Sequence, residues 1–102
     1  MARRRYLVAY DISDPRRLRR VCGVMESYGQ RLQYSVFLCD LSLGERANLE
    51  RAVLAVMDLR DDSVVQIDLG PIPGCAEVRF LGRRRDLPPT GPHIVGPPRA
   101  AQ

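Results

Sequence analysis

The chain has 102 residues, 45% of them apolar and 27% charged, with a formal net charge of +4. That length allows one small domain with its own core and excludes two. No apolar run approaches the roughly 18 residues of a membrane span. The apolar stretch behind the basic start ends at Asp11, too soon for a secretory signal, so a cytoplasmic protein is expected.

All 16 basic residues are arginine, clustered at 3–5, 16–20 and 83–85, whereas acids gather at Asp58, Asp61 and Asp62. Such clustering suits a phosphate-facing surface; the alternative is a solvated helix face. Cys22, Cys39 and Cys75 are odd in number and lack C-x-x-C spacing, which suits reduced, buried thiols. His93 is the sole histidine, which argues against a histidine metal centre or a Ser-His triad within one chain. Metal chemistry would rest on carboxylates, which select hard cations such as Mg²⁺ or Mn²⁺.

In chain order, Tyr6-Leu7-Val8-Ala9-Tyr10 predicts a first strand over 6–10, with Arg3, Arg4 and Arg5 as an exposed arm or an extension of it. The strand ends on Asp11. Asp14-Pro15 then reads as a helix start, because Asp accepts an orphan N–H and Pro at the first helical position has none to lose. A helix over 15–28 follows, with Leu18, Val21, Cys22 and Met25 as its buried stripe and Arg16, Arg17, Arg19 and Arg20 off its centre. Gly29 fits the residue after the cap. Two readings of Asp11 stand here: it shapes the strand-to-helix turn, or it meets a metal and a phosphate beside the arginines.

Residues 31–41 are extended, as one strand or as two with a break near Tyr34-Ser35. Leu32, Tyr34, Val36 and Leu38 point one way; Gln33, Ser35, Phe37 and Cys39 point the other. Ser42 and Glu45 form a capping box for a helix reaching about residue 59, with Leu49, Val53, Val56 and Met57 as its stripe. Residues 60–62 make a polar turn, 64–69 a strand, 70–74 a Gly- and Pro-rich loop, and 77–81 a last strand. Residues 83–102 form a basic and then proline-rich tail behind a domain over 1–82. Its apolar island at His93, Ile94 and Val95 suits a short strand pairing with a partner subunit.

These elements make an α+β two-layer sandwich with both helices on one sheet face. Gln33, Ser35 and Phe37 are then expected on the uncovered face, as a ligand or dimer surface.

The run Tyr10-Asp11-Ile12-Ser13-Asp14, the arginine-rich first helix, and Arg31-x-Gln33-Tyr34-Ser35-Val36-Phe37 together resemble the CRISPR-associated protein 2 family. These are small ferredoxin-like proteins of CRISPR spacer adaptation. The resemblance runs from the first strand to about Gly82. It implies a homodimer of ferredoxin-like domains that carries Asp11 near the two-fold axis as catalytic and metal-binding residue. It implies Mg²⁺- or Mn²⁺-dependent endonuclease activity on RNA or DNA. It also implies association with the adaptation integrase, CRISPR-associated protein 1, on prespacer DNA.

On that reading two copies of Asp11 supply a carboxylate pair, and a metal there polarises the phosphate and lowers the pKa of a bound water. Arg16, Arg17, Arg20 and Arg31 are the candidate nucleic-acid contacts, by bidentate hydrogen bonds to phosphate oxygens. Tyr10, Ser35 and Phe37 form the candidate dimer or active-site surface; for Phe37 the alternative is plain packing. The proline-rich tail departs from the family, whose last segment forms a strand on the partner subunit. Two other functions stand beside the nuclease: a non-catalytic nucleic-acid-binding scaffold of the same complex, and a ferredoxin-like RNA-binding or ligand-sensing module. The RNA-binding module is disfavoured by the lack of an RNP1-type aromatic pattern.

Overall fold

The computed structural model describes residues 2–82 and the backbone of His93 and Ile94. The apolar run and the arginines before it form a single strand, β1 (Arg3–Asp11), so the basic start is a strand extension. Its alternation buries Tyr6, Val8 and Tyr10 on one face and leaves Leu7 and Ala9 half-buried on the other. The remaining elements are α1 (Pro15–Glu26), β2 (Gln30–Gln33), β3 (Val36–Leu41), α2 (Leu43–Leu54), β4 (Ser63–Ile72), β5 (Arg79–Phe80) and β6 (His93–Ile94). The main sheet has the order β2-β3-β1-β4, with every pairing antiparallel. With two helices packed on one face, this is a ferredoxin-like sandwich.

The helix starts follow local chemistry. The Asp14 carboxylate accepts the Arg17 N–H at 3.0 Å, with Pro15 in the first turn. At α2, Ser42 Oγ accepts the Glu45 N–H at 3.2 Å, and Glu45 Oε1 accepts the Ser42 N–H at 2.9 Å. Both helices end earlier than their apolar patterns suggest. α1 stops at Glu26 with Ser27 as C-cap, and Gly29 is not a left-handed cap. Gly29 instead permits close approach, since a Cβ there would lie 2.5 Å from both Cys39 Sγ and the Leu38 carbonyl oxygen. α2 stops at Leu54, yet Val56 and Met57 still pack on the core from the turns behind it.

The extended segment is two strands, a hairpin turning at Tyr34 and Ser35. No residue there takes a positive φ, and the register shifts between Arg31 and Gln33. Such an irregularity accommodates strand twist without the Gly or Asn that a primed turn needs. The face expected for Phe37 is wrong. Val8 pairs with Phe37 and Tyr6 with Cys39 across β1 and β3, so these residues share one face. That face is the helix-covered one: Phe37, Cys39 and Leu41 join Tyr6, Val8, Tyr10, Val21, Met25, Leu49 and Val53 in the core. Alternation along 31–41 says which residues share a side; the volume of Tyr6, Tyr10 and Phe37 together decides which side the helices cover.

β4 runs to Ile72 and takes in Gly70 and Pro71, which the sequence assigns to a loop. Proline is admissible because β4 is the sheet edge. The expected strand over 77–81 shrinks to Arg79–Phe80 and does not join the main sheet. It pairs in parallel with His93–Ile94 of the same chain. Val95 and the rest of the tail expected to pair with a partner lie outside the described residues. Residues 78–81 border the open face, where Leu7, Leu32 and Val36 line a cleft with Val78, Phe80 and Leu81.

Candidate functional site

The junction from β1 to α1 carries the carboxylate that the sequence singled out. Asp11 is the last residue of β1, lies opposite Ser63 of β4, and is exposed. The next side chain, Ile12, is buried in the core. Ser13 and Arg17 converge on Asp62, a residue that the sequence places in a polar turn. Its Oδ1 accepts from the Ser13 N–H at 3.0 Å and from Ser13 Oγ at 3.2 Å. Its Oδ2 accepts from Arg17 Nε at 2.8 Å and from the Asp58 N–H at 2.8 Å. Arg17 Nη2 adds contacts of 3.2 Å to Asp62 Oδ1 and to Ser13 Oγ.

The Asp62 side chain is 0% exposed, whereas Arg17 keeps 26%. The Arg17 guanidinium, helped by the Asp58 and Ser13 N–H donors, holds the Asp62 carboxyl far below its ordinary range against the cost of desolvation. Only the acid pair Asp61-Asp62, ahead of a strand and matched in charge to the arginine-rich helix, hints at this in sequence. The partners lie 45 positions apart.

The arginines divide into engaged and available groups. Arg16, Arg19 and Arg20 are exposed and form no ion pair with the described residues. Arg17 is engaged by Asp62. Arg3, Arg4 and Arg5 pair with Glu45 at 2.8 Å, Asp68 at 2.9 Å and Asp40 at 2.7 Å, so the first basic cluster is largely neutralised within the chain. Arg31 lies 5.5 Å from the Phe37 ring centre and 6.0 Å from that of Tyr34. It donates to the Cys22 thiol and stands 3.9 Å from Glu26, while its Nε is buried without a partner among the described residues. Arg83, Arg84 and Arg85 lie outside the described residues.

Two of the three residues expected on a dimer or active-site surface are interior. Phe37 is 0% exposed and Tyr10 6%, with ring centres 6.1 Å apart. Both face the helices because each occupies the inward position of its strand. Burial, then the adjoining Cys22 thiol, pushes the Tyr10 phenol above its ordinary range. Ser35 is half-buried at the hairpin turn, and its carbonyl accepts the Tyr10 N–H at 3.0 Å. Beside them an open cleft of about 390 Å³ is lined by Tyr10, Arg19, Cys22, Glu26, Arg31 and Tyr34.

Among the described residues no three His, Cys, Asp or Glu side chains gather into a metal-binding group. Asp11 is exposed and makes no side-chain hydrogen bond or ion pair to the described residues. A lone free carboxylate fits half of a site for a hard cation, which keeps most of its waters and takes one or two carboxylates.

This ferredoxin-like domain, with a free acid at the end of its first strand and a cationic first helix, has known counterparts. The family model described as CRISPR associated protein Cas2 matches residues 4–71. The chain is 46% identical over 66 residues to the CRISPR-associated endoribonuclease Cas2 1 of Rhodospirillum rubrum, covering 65% of each chain. It is 36% identical over 90 residues to the CRISPR-associated endonuclease Cas2 2 of Thermus thermophilus, covering 79% of this chain and 100% of that one. In three dimensions it matches the crystal structure of Streptococcus pyogenes Cas2 with a TM-score of 0.58 and 32% identity, over 62% of this chain and 82% of that one. The chain belongs to the CRISPR associated protein Cas2 family. The match spans just under two thirds of the Rhodospirillum rubrum relative's length.

Proposed function

We propose that the chain is a homodimeric subunit of CRISPR spacer adaptation that binds nucleic acid along α1 and cleaves phosphodiesters of RNA or DNA at paired Asp11 carboxylates. The observation that carries this reading is Asp11, exposed at the end of β1 without a side-chain partner among the described residues, followed by α1, whose Arg16 and Arg20 are exposed and form no ion pair with those residues. The names of the relatives, endoribonuclease and endonuclease, support a nuclease. The open sheet face supports a dimer: Val65 and Ile67 are 53% and 49% exposed, on the face opposite the helices. Adjacent apolar side chains left uncovered suit a second copy.

Asp11 would hold Mg²⁺ or Mn²⁺ together with its copy. When bound, the ion polarises the scissile phosphate and eases loss of a proton from water. Arg16 and Arg20 orient the substrate by holding non-bridging oxygens. Within the same proposal the adaptation integrase, CRISPR-associated protein 1, is the protein partner.

A second reading, a non-catalytic scaffold on prespacer DNA, is favoured by one specific observation: among the described residues no three His, Cys, Asp or Glu side chains gather as a self-contained metal site would need. An RNA-recognition module is disfavoured, since Phe37 is in the core and leaves no aromatic platform there.

Cleavage of single- and double-stranded substrates, titrated with Mg²⁺, Mn²⁺ and chelator, separates nuclease from scaffold. Asp11→Asn should abolish cleavage and leave nucleic-acid affinity and melting temperature close to wild type. Retained metal-dependent cleavage in Asp11→Asn rejects the catalytic assignment. A wild type inactive in both metals favours the scaffold.

A further inference from the structure

We infer that Asp62 and Arg17 are positioning residues for Asp11: their ion pair, built on a buried carboxylate, clamps the turn behind β1 and so sets where the Asp11 carboxylate points. This rests on the reading of Asp11 as the metal-binding carboxylate. Four consecutive residues leave the sheet here, and each is held differently. Asp11 is held by the β1–β4 ladder opposite Ser63. Ile12 is anchored in the core. Ser13 is tied to Asp62 through both its N–H and its hydroxyl. Asp14 caps α1. Asp62 directly precedes Ser63, so one short segment grips the backbone on both sides of Ile12 and leaves only the Asp11 side chain free.

Arg17 completes the clamp. It reaches both Asp62 oxygens and Ser13 Oγ, at 2.8 to 3.2 Å. A guanidinium so engaged is directed at Asp62, not at phosphate. Its planar fork matches the carboxylate as a lysine ammonium does not. The Asp58 N–H, 2.8 Å from Oδ2, ties the turn after α2 to the same oxygen. The carboxylate thus joins the β1–α1 turn, the first turn of α1 and the turn after α2. Direct hydrogen-bond partners of a metal ligand typically matter by about 10- to 100-fold in metal affinity or activity, and Asp62 and Arg17 would act on Asp11 through the backbone with an effect of that order.

The test compares full-length wild type with Arg17→Gln, Arg17→Lys, Asp62→Asn and Arg16→Gln. Backbone amide exchange at Ser13 reports the clamp directly, without metal or substrate. It should accelerate at least tenfold in Arg17→Gln and Asp62→Asn, while Val8 in the centre of β1 stays protected. In the active enzyme kcat should fall about 10- to 100-fold in those two variants, with KM nearly unchanged. Arg17→Lys should recover part of kcat. Nucleic-acid affinity should weaken in Arg16→Gln and stay within about twofold of wild type in Arg17→Gln.

Unchanged Ser13 exchange in both clamp variants overturns the inference. So does faster exchange with wild-type kcat, which would make the pair purely structural. Loss of affinity in Arg17→Gln equal to that in Arg16→Gln would make Arg17 a phosphate contact and also overturn it. A wild type that cuts in neither Mg²⁺ nor Mn²⁺ defeats the nuclease reading instead. The clamp is then decided by Ser13 exchange and by Mn²⁺ broadening of the Asp11 amide resonance, which should weaken in Asp62→Asn; unaltered broadening rejects it.

Discussion

Arg5 and Asp40 face each other across β1 and β3, with Arg5 Nε 2.7 Å from one carboxylate oxygen and Nη2 2.8 Å from the other. This bidentate pair makes part of the chain's basic character an internal matter. The Asp40 carboxylate holds the Arg5 guanidinium even more firmly protonated than usual. Arg4 and Arg3 are paired likewise, with Asp68 and Glu45. Arg16, Arg19 and Arg20 of α1, and Arg60 in the turn after α2, are exposed and in no ion pair with the described residues.

Nucleic-acid binding should therefore depend on α1 and hardly on β1. Replacing both Arg16 and Arg20 with Gln should lower the slope of log K against log salt by up to about 2, near 0.9 per lost duplex phosphate contact. Replacing Arg4 and Arg5 should leave the slope close to wild type. Anisotropy titrations between about 50 and 200 mM salt measure both. An equal drop in the two double variants would show that the β1 pairs open to bind phosphate.

Phe37 should behave as a core residue. It is fully buried in the core formed by the sheet and the two helices, so Phe37→Ala loses transfer energy and leaves a cavity, costing about 3–5 kcal/mol. For a domain of this size that lowers the melting temperature by roughly 10 °C or more. Calorimetry that finds Phe37→Ala as stable as wild type would return the residue to a surface.

Acid should weaken the fold through Asp62. Its folded pKa is depressed below the ordinary value of 3.8, so the unfolded chain takes up the proton first. The associated stability is fully present above about pH 4 and is lost as pH falls toward the folded pKa. Asp62→Asn should be less stable than wild type near neutrality, and the difference should shrink steadily below about pH 4. Denaturant midpoints measured from acid to neutral pH check this; a gap that does not close on acidification would remove Asp62 as its source.

The open face and the tail make separable contributions to the proposed dimer. Ile67→Glu places a charge among exposed apolar side chains opposite the helices and should shift sedimentation toward monomer. Truncation after Arg85 removes His93–Ile94, which pairs with Arg79–Phe80 beside that face, and should weaken association less. An unchanged dimer in the truncated chain would take residues 86–102 out of the interface. An unchanged dimer in Ile67→Glu would move the interface elsewhere.

Local chemistry alone determined much of this protein. The strand ending on Asp11, the Asp14-Pro15 start of α1, the Ser42–Glu45 box, the α1 stripe and the α+β order all depend on residues within a turn or a pleat of one another. Composition and spacing carry such information directly. Only the tertiary structure decided which sheet face holds Phe37, that Gly29 serves a close approach to β3, and where the arginines are engaged. Period-two alternation tells which residues share a face but not which face the helices cover; that required the register of Val8 with Phe37. Formal charge counts arginines without their partners. The partners of Arg5, Arg17 and Arg4 lie 35, 45 and 64 positions away, and only the sheet register and the packing of α1 bring those carboxylates within 3 Å.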